Sequence, residues 1–173
     1  DAAPLPASVE IAPSAEGCVP LRVEKMIDDE KNVGLELHLH LGEPTVAEEA
    51  RLLVLSQVAS KDAFNVLRTQ KQLGYVVQCG TRSIARARGL SVLVQSAVAS
   101  PPELEAEAEG WLASFRGGAL ADLSDDDLAQ YVSAVATNLE ERPKTLFQEN
   151  GPVWTEVVEG THRWQYKAEL AAA

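Results

Sequence analysis

Within Asp62–Gly80, DAFNVLRTQKQLGYVVQCG, two side chains carry usable chemistry, Arg68 and Tyr75. A guanidinium presents a planar fork of donors suited to carbonyl or carboxylate oxygens, and a phenol donates one hydrogen bond. Held together, a fixed cation and a phenol can stabilise an oxyanion as it develops. Arg68 and Tyr75 are seven residues apart. On a helix that is nearly two turns, so they start from one face roughly 10 Å apart. A strand opening at Tyr75 would bring the ring closer. Plainer readings stand beside these: Arg68 as a cation at the negative end of a helix dipole, Tyr75 as an aromatic on a sheet surface. Phe64, one turn before Arg68, either lines the same pocket or packs in the core. The histidines offer less. His38 and His40 stand two apart and share a strand face, but no third ligand is evident, where catalytic zinc takes three from the protein. They read as solvated strand positions. Asp125, Asp126 and Asp127 point apart on a helix and read as acids at its positive end, not as a metal site.

The elements that must position Arg68 and Tyr75 follow from periodicity. Val33, Leu35, Leu37, Leu39 and Leu41 alternate with Glu36, His38 and His40, which predicts a strand with one apolar face. Val19 to Ile27 alternates loosely and is expected to pair with it as a hairpin. Thr45 and Glu48 form a capping box that opens a long helix, expected to run through Leu55 and Phe64 to about Leu73. Gly74 falls where a left-handed cap is wanted, and YVVQC then reads as a strand. A strand from Tyr75 to Ser83, a turn from Ile84 to Gly89 and a strand from Leu90 to Ser96 are expected next. Ser100-Pro101-Pro102-Glu103 opens a helix with the stripe Leu104, Ala108, Trp111, Leu112 and Phe115. Ser124 caps another, with the stripe Leu128, Tyr131, Val132, Val135 and Leu139. A further helix starts near Pro143 and is expected to break at Gly151-Pro152. The order β-β-α-β-β-α-α-α predicts an α+β fold, a mostly antiparallel sheet packed under one helical layer. Residues 1–17, rich in Pro and Ala, read as an extended linker, and residues 18–173 as one domain.

The chain has 173 residues, 46% hydrophobic and 24% charged, within the range of a single globular domain. A formal charge of −11 argues against a nucleic-acid partner and suits neutral or basic peptides. No apolar run reaches the roughly 18 residues of a membrane span. Cys18 and Cys79 read as reduced thiols, which suggests a cytoplasmic or organellar-lumen address.

The segment FNVLRTQKQLGYVV resembles the signature F-x-x-L-R-(T/S)-x-x-Q-L-G-Y-x-V in the last domain of the insulin-degrading enzyme (insulinase, pitrilysin) family of zinc peptidases. Phe64, Leu67, Arg68, Thr69, Gln72, Leu73, Gly74, Tyr75 and Val77 occupy the matching positions. The likeness spans about residues 19–165. It implies a metallopeptidase-lobe (LuxS/MPP-like) domain, the fourth of four repeats. It also implies that Arg68 and Tyr75 reach a peptide bound at zinc in another lobe, stabilising the oxyanion opposite the metal, with Phe64 beside them. The family's His-x-x-Glu-His motif is absent, since His38, His40 and His162 do not stand in that spacing. No cofactor is therefore expected in this chain. Zinc would sit in a partner lobe or subunit of the same family, and no peptidase activity is expected in isolation. The family's closing helix is cut to KAELAAA, so Trp154 and Trp164 are expected to be poorly covered. The competing expectation is a stand-alone structural or regulatory subunit, a binding module without peptidase activity.

Overall fold

Alternation of leucine with polar residues makes β1 (Val33–Gly42), one of the two outer strands of an antiparallel sheet. The computed structural model describes residues 20–24, 29–84 and 86–173. After β1 come α1 (Val46–Ala63), a π-helical segment (Phe64–Gln70), β2 (Val76–Ile84), β3 (Ala87–Ser96), α2 (Pro101–Gly117), α3 (Asp125–Glu140), α4 (Leu146–Glu159) and α5 (Tyr166–Ala172). The strand order is β1-β3-β2, all antiparallel, an α+β arrangement with helices layered on one face.

Register decides which side chains meet. Leu35, Val94 and Val77 lie abreast, and so do Leu37, Val92 and Cys79. That row faces Leu52, Val58, Ala59 and Leu67 of α1 and the π segment, and Leu104, Trp111 and Phe115 of α2. Val92, Val94, Leu67 and Leu104 are fully buried. Each such side chain contributes about 1.5–3 kcal/mol by leaving water. Trp111 donates its indole N–H to Asp62 at 2.8 Å, which ties α2 to α1. The opposite face is polar, with Glu36 paired to Arg82 across the sheet at 3.1 Å.

A buried polar cluster fixes the other end. Arg88 of β3 donates to Glu49 of α1 at 3.1 Å, and the Tyr166 hydroxyl of α5 donates to the other Glu49 oxygen. The Arg163 guanidinium stacks on the Tyr166 ring at 3.6 Å. Glu156 of α4 accepts from the Arg163 amide at 2.7 Å and from the Thr161 hydroxyl. Burial pushes the Glu156 carboxyl up, but those donors and the nearby Arg163 and Arg88 charges outweigh it and hold it below the usual carboxylate range.

Several expectations from sequence are corrected. None of residues 20–24 is strand, and the rest of the expected Val19–Ile27 strand lies outside the described residues, as does the 1–17 linker. β1 pairs with β3 instead. α1 ends at Ala63 and widens into the π segment, short of Leu73. Leu39 and Leu41, at the end of β1, are exposed. The Ile84–Gly89 turn is shorter than expected, because Ala87, Arg88 and Gly89 already pair with Ile84, Ser83 and Arg82. There the Glu49 bond draws the Arg88 side chain inward. α4 begins at Leu146 and continues through Gly151-Pro152 as one helix. Proline at 152 removes one ladder bond, the one to the Gln148 carbonyl, and the helix carries on past it. On α3 only Val135 is buried, while Leu128 and Val132 stay exposed beside a groove of about 430 Å³ shared with α1 and α5.

Two glycines make opposite demands. A Cβ on Gly74 would lie 1.8 Å from the Gln95 carbonyl oxygen, whereas one on Gly80 would meet nothing within 4 Å. Gly74→Ala should therefore cost about 1–3 kcal/mol by forcing backbone apart. Gly80→Ala should be neutral or stabilise by about 0.5–1 kcal/mol. Urea midpoints of the two variants check this, and equal shifts would contradict it.

Burial pushes the Cys79 thiol from an ordinary value of 9.0 up to about 12. Burial and the Glu49 bond push the Tyr166 phenol from 10.0 up to about 12. Both folded groups hold their protons where the unfolded chain releases them. Their contribution is full below about pH 9 and is lost progressively up to about pH 12. Urea unfolding across that range should show stability falling, less steeply in Cys79→Ala and Tyr166→Phe once each is referred to its own neutral-pH value. A flat profile would contradict the assignment.

Candidate functional site

Cap and core dictate where the site begins. The Thr45 amide and hydroxyl donate to the Glu48 carboxylate, each at 2.8 Å, and the Glu48 amide donates back to the Thr45 hydroxyl at 3.3 Å. α1 then runs with Leu52, Val58, Ala59 and Ala63 against the sheet until Phe64, where the turn widens. The Lys71 amide reaches back to the Val66 carbonyl at 2.9 Å, and the Leu73 amide to the Leu67 carbonyl at 3.0 Å. Such π turns are uncommon and concentrate at functional sites.

Leu67 is fully buried, whereas Phe64 is exposed and Arg68 partly exposed. After the π segment Gln72 adopts the left-handed conformation, with φ of +52°. This corrects the expectation of a left-handed Gly74. Glycine is needed at 74 for a different reason, the close approach to the Gln95 carbonyl. Leu73 turns into the core, and Tyr75 is consequently thrown outward, 83% exposed.

These constraints bring the three sequence-identified residues together. The Arg68 guanidinium carbon lies 4.8 Å from the centre of the Phe64 ring and 5.0 Å from that of Tyr75. Phe64 is 44% exposed, so it belongs to this surface cluster and not to the core. Two aromatic faces orient the cation through their quadrupoles, each worth about 0.5–1 kcal/mol at an exposed site. Among the described residues no carboxylate pairs with Arg68, whereas its neighbour Lys71 is tied to Glu107 of α2. The Tyr75 hydroxyl likewise has no hydrogen-bond partner among them. A preoriented guanidinium and a phenol thus face solvent with their donors available.

The remaining candidates do not join this cluster into a metal centre. His38 and His40 stand edge to face with ring centres 6.0 Å apart. His162 packs near Trp164 at 5.5 Å. Among the described residues no group of three or more His, Cys, Asp or Glu is placed to hold a metal ion. Ser124 caps α3 by accepting from the Asp127 amide at 3.1 Å, and Asp125, Asp126 and Asp127 lie in the first turn, at the positive end of its dipole. The π turn itself escaped the sequence reading, because a period of 3.6 does not distinguish a widened last turn.

Comparison with known proteins gives the chain its relatives. The family model described as PQQ synthase PqqF-like, C-terminal lobe domain 4, matches residues 54–154, which include the whole cluster. The chain is 31% identical to an insulin-degrading enzyme of Drosophila melanogaster over 149 residues, covering 86% of this chain and 15% of that protein. It is 30% identical to a nardilysin-like protein of Arabidopsis thaliana, covering 82% and 14%. A crystal structure of pitrilysin superposes with a TM-score of 0.65 at 25% identity, covering 83% of this chain and 15% of that one. The chain therefore spans about one-seventh of the length of these relatives.

An exposed cation–aromatic cluster contributes little to stability. Arg68→Ala should lower it by no more than about 1–2 kcal/mol. Truncating the buried Leu67 to Ala should cost about 2–5 kcal/mol. Urea unfolding compares the two, and a larger loss for Arg68→Ala would make that residue structural.

Proposed function

The chain belongs to the insulinase family, as a PqqF-like C-terminal lobe domain, and from that membership we propose that it is the non-catalytic, peptide-contacting domain of a zinc metalloendopeptidase. What carries the reading is the Arg68 guanidinium, set between the Phe64 and Tyr75 rings with no carboxylate partner among the described residues. In a chain of net charge −11, a cation left without an acid is open to an oxygen from elsewhere. A peptide carbonyl fits: the guanidinium fork takes one oxygen, the phenol donates to the same group, and both oppose negative charge developing there. Phe64 and Tyr75 hold the cation in place, so little order is lost when the peptide arrives.

The described residues do not form a zinc site, so the metal would come from a partner lobe or subunit of the same family, and hydrolysis would depend on it. No helix among the described residues is long and apolar enough to cross a membrane. A second reading, a binding module that docks on a partner without taking part in hydrolysis, has its own support. Phe147, Trp154 and Val158 of α4, together with Trp164, leave an exposed apolar surface, with Trp154 67% exposed.

The isolated chain with added zinc should not cleave a fluorogenic peptide. Mixed with a zinc-bearing lobe of the family, it should restore cleavage. Arg68→Ala or Tyr75→Phe should lower the restored kcat by roughly 10²–10³, the usual loss for one oxyanion donor. Binding to the lobe should be unchanged. Unaltered kcat in both variants, with the complex intact, would favour the binding module.

A further inference from the structure

β2 is an outer strand of the sheet, so one of its edges has no strand partner among the described residues. Nor do residues 75–84 make a backbone-to-backbone bond outside the β2–β3 ladder there. Open edges are usually guarded by charge, proline or a bulge. From Val76 to Thr81 the sequence VVQCGT holds no charged residue and no proline.

A groove of about 400 Å³ lies where β2 meets α1 and α3. Cys79, Gly80 and Thr81 form one wall, with Gln57 and Ser60 of α1 and Asn138 of α3 among the others. Cys79 and Thr81 point to one face, and Gly80 between them leaves its backbone bare. Gly80 has no packing reason to be glycine, since a Cβ there would meet nothing. A glycine inside a strand weakens it and often marks the close approach of a ligand or another backbone. Gln57 and Asn138 add amide donors and acceptors to that groove.

We propose that the outer edge of β2 between Val76 and Thr81 receives an extended peptide as an added strand, continuing from the main-chain contact at Arg68 and Tyr75. For the point of entry this rests on the peptide-contact reading of that cluster, because Tyr75 immediately precedes β2. A single strand fits better than a second copy of the chain. The net charge of −11 disfavours self-association and suits a neutral or basic peptide. Main-chain pairing would supply affinity with little demand on sequence.

The test adds acetyl-Lys-Thr-Val-Thr-Val-Thr-Lys-amide to the whole chain and follows amide hydrogen exchange by NMR. Alternate amides between Val76 and Thr81 should slow by at least about tenfold, because only every second N–H faces the free edge. N-methylation of the peptide at every second position should abolish the slowing. If the alternating protection persists in Arg68→Ala, strand addition stands and the peptide role of Arg68 fails. If the peptide perturbs only residues 64–75, strand addition is overturned and the role of Arg68 stands. Protection that appears without peptide and grows with protein concentration overturns the proposal in favour of a second copy.

Discussion

At Gly74 the chain presses against β3 so closely that a methyl group would sit 1.8 Å from the Gln95 carbonyl oxygen. The position of the exposed cluster depends on that contact. Leu67 and Leu73 are buried on either side of the left-handed Gln72, so the link between the π segment and β2 is pinned at two apolar points and one backbone contact. Tyr75 emerges from this link with one direction left to it. Its ring and that of Phe64 then flank Arg68. The core thus sets the geometry of a site that itself buries little.

Two groups of charges in this chain illustrate different physics. Glu49, Arg88, Tyr166, Glu156 and Arg163 join α1, β3, α4 and α5, and their partners lie within the fold. Breaking one member of such a buried set leaves another uncompensated, a loss of about 3–5 kcal/mol. Arg68 sits instead on the surface, flanked by rings and not by acids. Charges satisfied internally stabilise the fold, and a cation held without an acid is prepared for an outside oxygen. That contrast is the physical basis for the functional role proposed for Arg68.

Much of this was legible in the sequence, for identifiable reasons. The Thr45–Glu48 box, the α2 stripe from Leu104 to Phe115 and the α+β class rest on local patterns, and local patterns survive folding. Phe64, Arg68 and Tyr75 were legible as a group through a resemblance to a family motif; spacing alone left each with a plainer role. What stayed hidden depends on contacts distant in sequence. Gly74 looked like a cap because its constraint lies at Gln95. Arg88 looked like a turn residue because its partner, Glu49, lies on another element. The apolar stripe of α3 looked like core, yet Leu128 and Val132 border a groove. Periodicity reports which face is apolar and not what covers it.

The central claim is that Arg68 grips a peptide main-chain oxygen. A double-mutant cycle tests it most directly, pairing Arg68→Ala with a bound peptide in which one carbonyl is replaced by an alkene of the same shape. The account predicts a coupling of about 1–3 kcal/mol in binding free energy at a single peptide position. Effects that add within about 0.5 kcal/mol at every position would contradict it.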